Sequence, residues 1–267
     1  MLFALIVQLL HRVRKFLLAA GVLLAGFQVV LILQANAIQA SNSFAKMGDL
    51  VPSFARDVLG PSFVMFLTFK GIVCLGYFHP IVMGALVSVS VTLATIPVME
   101  IETGFIDLVL ARPVARHWIV TRSILVAVIS TVYLLAMMAF GTWIGLSKFA
   151  AKDAAWPSAG LVCSLAINLG FLMLCWAAIA MAVGCACRRR VRLEPSRLAA
   201  RRLTSPTTSA GRETGGLGGV ASPFRYYTPF ELVMGSALSA KSLYVLGGIA
   251  AAFALAYLLY SRRDIAH

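Results

Sequence analysis

A chain of 267 residues with 60% apolar and only 12% charged residues carries about half the charge of an ordinary soluble domain. No water-soluble core hides that much apolar surface, and the length allows about five or six membrane spans of roughly 20 residues with their loops. That fills a single transmembrane domain, residues 1–267, and leaves no room for a second, soluble catalytic domain. The net charge of +13 would suggest nucleic acid in a soluble protein. Here the arginines cluster beside apolar runs, which is the positive-inside pattern of a membrane protein, and no nucleic-acid partner is expected.

Met1 to Leu10 is apolar and too short to cross, so it is expected to lie in the interface as an anchoring helix. His11-Arg12-Val13-Arg14-Lys15 marks the cytoplasmic side. This basic cluster follows the apolar opening instead of leading it, so Ala35-Asn36-Ala37 is not expected to serve as a signal cleavage site despite its small-x-small form. The first span runs from about Phe16 to Gln34, and Gln39 to Asp57 is an external loop. Phe63 to Phe78 is apolar but interrupted by Lys70, and the sequence does not decide whether it enters the membrane.

His79-Pro80 then ends or kinks a helix. Ile81 to Met99 is the second span, Glu100 to Arg122 a cytoplasmic loop, Ser123 to Leu146 the third span, and Lys148 to Pro157 an external turn. Leu161 to Gly184 is the fourth span. From Arg188-Arg189-Arg190 to about Gly219 the chain is rich in Arg, Ser, Thr, Gly and Pro and shows neither helical nor strand periodicity. Phe224, Tyr226, Tyr227 and Phe230 suit a membrane-water interface. The last span is about Leu243 to Tyr260. The fold class is therefore all-α: a polytopic helical membrane protein with five evident spans and an N-terminal interfacial helix.

The assigned spans hold no Asp, Glu, Lys or Arg, which weighs against ion-coupled transport, since a coupling ion must be bound at depth. Ser88, Ser90, Ser130 and Ser164 lie in spans with only His79 nearby, so they are expected to bond back to their helices or bridge helices, and no catalytic residue is assigned. No GxxxxGK[ST] loop occurs, so ATP is not bound by that mechanism. Cys185-x-Cys187 offers two thiolates without two further ligands, so no metal site is assigned. The five cysteines sit mostly in apolar runs and form no disulfide framework. No cofactor is expected.

The loop Glu100 to Arg116 is the most informative stretch. Thr103 caps a short helix, Phe105, Ile106, Leu108, Val109 and Leu110 give it a broad apolar side, and Pro113 stops it at Arg112. From Pro97 to Arg116 the sequence PVMEIETGFIDLVLARPVAR resembles the signature of type-2 ABC transporter permeases: an acidic residue after the second span, a Thr-Gly step, a Leu-rich helix and a Pro-Val-Ser/Ala-Arg turn. The ending Tyr260-Ser-Arg-Arg-Asp264-Ile265, Tyr77-Phe78-His79-Pro80 and Ser222-Pro-Phe-Arg-Tyr-Tyr227 are also similar to that family. The resemblance covers most of residues 1–188 and 220–267.

The resemblance implies six spans, assembly as a homodimer or heterodimer of permeases, a separate ATP-binding cassette ATPase subunit, and docking of this loop on the ATPase. It implies coupling roles for Glu100, Glu102, Gly104, Phe105, Leu108, Pro113 and Arg116. The expected protein is thus a multi-pass permease subunit of an exporter in the inner or plasma membrane, in contact with lipid, and not itself an enzyme. A non-transporting scaffold that anchors a peripheral partner, or a secondary carrier, is the alternative. Residues 191–219 stand where the family has its fifth span, and their arginines forbid a crossing. With one span fewer, Arg262 and Arg263 would end outside, against the positive-inside tendency, so an atypical or defective permease is expected, its C-terminus either external or held inside by a last segment that fails to cross.

Overall fold

The computed structural model describes residues 2–41, 68–102, 117–150, 156–186, 232–233 and 240–261. Among them there is no strand. The helices are α1 (Leu2–Ala40), α2 (Phe69–Phe78), α3 (Pro80–Glu102), α4 (His117–Phe149), α5 (Ala159–Ala186) and α6 (Ala240–Ser261). Among the described residues, four apolar stretches are long enough to cross a membrane: Phe3–Ala40, Phe69–Glu100, Trp118–Phe149 and Ala159–Cys185. Within α6 a shorter apolar stretch covers Val245–Leu258. The protein is an all-helical, polytopic membrane protein.

Each span drawn from hydropathy lies inside a longer helix. The difference is largest in α1, where the opening ten residues do not form a separate interfacial helix but continue without a break into the span. The physical reason is local: no glycine or proline precedes Gly21, and the arginines and lysine of the basic cluster are good helix formers. At 1.5 Å per residue the 39-residue helix is about 58 Å long, nearly twice the hydrocarbon thickness.

Phe63 to Phe78 is settled in its second half, where α2 packs inward through Phe69, Val73, Cys74, Tyr77 and Phe78. Thr68 caps α2 by accepting a hydrogen bond from the Gly71 N–H. His79 is extended (φ −61°, ψ 130°) and ends it. Pro80, which has no N–H to lose, opens α3. His79 Nδ1 accepts from the Ile81 N–H at 3.3 Å, and its carbonyl accepts from Met83 at 3.0 Å. One membrane-crossing path is therefore built from two helices meeting at an extended residue.

α1 and α4 run side by side in the same direction, Gly21 facing Tyr133 and Met137, Ala25 facing Gly141, and Ile32 facing Gly145. Gly141-Thr-Trp-Ile-Gly145 is a Gly-x-x-x-Gly pattern, which lets helix backbones approach closely in a membrane. α3 and α5 run together in the opposite sense, with Val98 against Gly184 near their C-terminal ends. Leu17, Leu24, Tyr77, Leu86, Leu134, Met138, Leu169 and Met173 centre the main apolar cluster, which Leu232 and Val233 join.

The direction of α6 follows from its packing. Phe253 and Ala256 join a second cluster with Ala94, Ile119, Val120, Met181 and Cys185. Counting along α6, 256 − 240 = 16 residues precede Ala256 and 261 − 256 = 5 follow it. Ile249, two turns earlier, is also buried, so the longer arm lies back along α5 and the helix ends beside the C-terminal end of α5. α6 therefore ends at the end of the bundle where α1 begins. This is the side that the positive-inside tendency assigns to a basic C-terminal flank. The segment 191–219, on which the expected loss of a span rests, lies outside the described residues.

Candidate functional site

The base of the loop between α3 and α4 carries a cluster of charges. Glu100 stands at the end of α3, one turn after Pro97, and is buried, with 4% of its side chain exposed. Its Oε2 accepts a hydrogen bond from Nη2 of Arg122, on the second turn of α4, whose side chain is 3% exposed. Arg12 of α1 approaches the other carboxylate oxygen at 3.5 Å and is 63% exposed. One carboxylate thus ties three helices together, and Arg122 lies within α4 and not in the loop where hydropathy placed it.

The two pairs differ in weight. Burial raises the Coulomb attraction between Glu100 and Arg122 but also removes both from water, so each depends on the other. The Arg12 contact is longer and solvent-screened, and contributes at most about 1 kcal/mol. The remaining expected loop residues fall differently. Glu102 is the last residue of α3, while Gly104, Phe105, Leu108, Pro113 and Arg116 lie outside the described residues. The carboxylate of Glu100 is turned into the bundle, a placement that hydropathy and loop composition do not distinguish from an outward one.

Tyr77, Thr142 and Gln28 also lie inside the bundle. The Tyr77 hydroxyl is 2.9 Å from Thr142 Oγ1, and Thr142 also donates to the Met138 carbonyl at 3.0 Å. Tyr77→Phe is expected to cost about 0.6 kcal/mol, since buried hydrogen bonds between membrane helices average that much and Thr142 keeps its carbonyl partner. Thermal unfolding of the purified protein checks this. Gln28 is fully buried and packs over Gly76, and neither of its amide atoms has a hydrogen-bond partner among the described residues. Gln28→Met keeps the side-chain length and removes the unmet desolvation cost, so it is expected to stabilise the fold by about 1–2 kcal/mol. An unchanged or lowered melting temperature would count against it.

Ser88 and Ser90 donate to the carbonyls of Gly84 and Leu86 at 2.8 and 2.9 Å, as expected of span serines, whereas the buried Ser130 Oγ has no hydrogen-bond partner among the described residues. Cys185 is buried and Cys187 lies outside the described residues. Among the described residues no three His, Cys, Asp or Glu side chains gather in a metal-binding group. A groove of about 680 Å³ between α4 and α5 has walls of Val132, Leu135, Trp143, Trp156 and Ile167. Its lining is mostly apolar, with Thr142 and Ser147 as its hydroxyl-bearing residues and no charged group. The sequence and the fold match no family profile, no curated protein and no solved structure.

Proposed function

We propose that the chain is the membrane-spanning permease subunit of an ATP-driven exporter, working in the inner or plasma membrane as a pair of permeases with a separate ATPase subunit. The observation that supports this proposal is the anchoring of Glu100, which opens the loop whose sequence carries the resemblance. Glu100 is locked to Arg122, on the helix to which the loop leads, and is approached by Arg12 of α1. A push on a loop anchored in this way reaches three helices at once. Such a push moves the bundle only if the ATPase binds the loop differently in its two states.

Within this proposal Glu102 and the loop residues through Arg116 meet the ATPase, and Glu100 holds the loop to the bundle. Co-purification of a nucleotide-binding subunit with the tagged chain is the expected result. In inverted vesicles, uptake should require ATP and survive collapse of the proton gradient. Strict dependence on that gradient would favour a carrier, and a chain that purifies without any nucleotide-binding subunit and transports nothing would favour the scaffold. Glu102→Ala should reduce transport while leaving membrane insertion intact, since a charge outside the hydrocarbon costs nothing to insert.

A further inference from the structure

The helices fall into two groups by their packing: α1 lies chiefly against α4 and α2, and α5 chiefly against α6 and α3. At the end of the bundle where α1 finishes, α1, α2 and α4 share a cluster of their own, with Ile32, Ala35, Phe69, Val73 and Leu146. There α5 stands off from α4 across the groove of about 680 Å³. At the end where α1 begins the groups are joined, by Ile119 and Val120 of α4 in one cluster with Ala177 and Met181 of α5, and by Glu100 of α3 bonded to Arg122 of α4. Between the two ends α4 and α5 cross closely. A Cβ on Gly170 would lie 2.8 Å from Cδ1 of Leu135 and 3.7 Å from Cγ2 of Thr131, and the α5 wall of the groove begins at Ile167, one turn away. Gly170 is about 16 Å along α5 from Ala159 and about 22 Å from Cys185, so the crossing has a long arm on either side.

We propose that the two groups rock as rigid bodies about the Gly170 crossing, between the arrangement described, with the groove open and the opposite end latched, and one with the groove closed and α1 and α3 parted. The chain connection between α2 and α3 permits this. Pro80 has no N–H and the Ile81 N–H is taken by His79 Nδ1, so helical bonds that would stiffen the junction are missing, and an extended residue between two helices is where a hinge absorbs rotation. Apolar helix faces part at small cost in a membrane, because acyl chains replace the contacts that are lost. The ionic contacts of Glu100 with Arg122 and Arg12 therefore form the latch. α1 and α3 are already separated by a crevice of about 310 Å³, with Arg12 and Phe16 on one wall and Met99 and Glu100 on the other, and the Arg12 to Glu100 contact spans it. The motion belongs to the chain alone and needs neither ATPase nor substrate.

Distances between paired spin labels, measured by double electron–electron resonance on the full-length chain in lipid nanodiscs with its own cysteines replaced by alanine, test this. Phe149→Cys with Gly160→Cys brackets the groove mouth, and Phe16→Cys with Met99→Cys brackets the crevice. Each pair should show two populations. Arg12→Gln should raise the population with a short groove distance and a long crevice distance by up to about fivefold, the weight of one screened ion pair. Ala139→Trp fills the groove from its α4 wall and leaves the latch intact, so it should leave one population at each pair, with the groove distance long and the crevice distance short. A single distance at each pair that Arg12→Gln does not move, two populations that survive Ala139→Trp, or changes of the same sign at both pairs, which mean loosening and not rocking, would each overturn the proposal.

Discussion

Arg122→Met is expected to destabilise the folded bundle by about 3–5 kcal/mol, the usual cost of leaving one partner of a buried ion pair unmatched. Glu100 would remain buried with the screened Arg12 guanidinium 3.5 Å away, and that contact offsets no more than about 1 kcal/mol. Glu100→Leu should cost a similar amount for the reciprocal reason. The double variant, Glu100→Leu with Arg122→Met, should return close to the starting stability, because two matched apolar side chains replace two charges that both had to leave water. Equilibrium unfolding in mixed micelles measures all three. Additive losses in the double variant would mean that the pair is not coupled as the structure places it. If the permease proposal holds, the double variant should also be the informative one in transport, since it keeps the fold while removing the tie between loop and helices.

Gly141→Leu should be the second large effect. A Cβ placed on Gly141 would lie 2.6 Å from the carbonyl oxygen and 2.7 Å from the Cα of Ala25. These are backbone atoms, so no rotamer change relieves the clash and α1 must move away from α4. Overpacking of this kind costs about 1–3 kcal/mol or more, and Gly141→Ala should already show part of it. Gly26 is the control, because a Cβ there meets nothing within 4 Å. Gly26→Ala should be neutral or stabilising by about 0.5–1 kcal/mol through reduced backbone entropy. Equal effects at Gly141 and Gly26 would contradict the close approach of the two helices.

Much of this architecture is legible in the sequence because hydropathy reports burial in lipid directly. All five expected spans fall within helices, and His79-Pro80 marks the junction of α2 and α3. Helix ends are less legible: hydropathy stops at the first charge, whereas a helix continues through Arg, Lys and Glu at no backbone cost, so α1 and α4 extend well past the apolar windows. The pairing of α1 with α4 passes through Gly141-x-x-x-Gly145, a spacing that a window average discards and that does not by itself name the partner helix. At the candidate site, residue types identify Glu100 and the basic positions around the loop but not their partners. Arg12 and Arg122 are 110 residues apart, and only the packing of α1 along α4 brings both to one carboxylate.

The shared end of α1 and α6 has a practical corollary. Halves of a split fluorescent protein, joined by flexible tethers to the N-terminal end of α1 and the C-terminal end of α6, would occupy the same aqueous compartment and reassemble within one molecule. The complemented signal would be independent of expression level, which separates it from pairing between neighbouring copies. A single small fluorophore at either end would then report from the face on which the α3–α4 loop emerges, and quenching from the opposite compartment would leave both untouched.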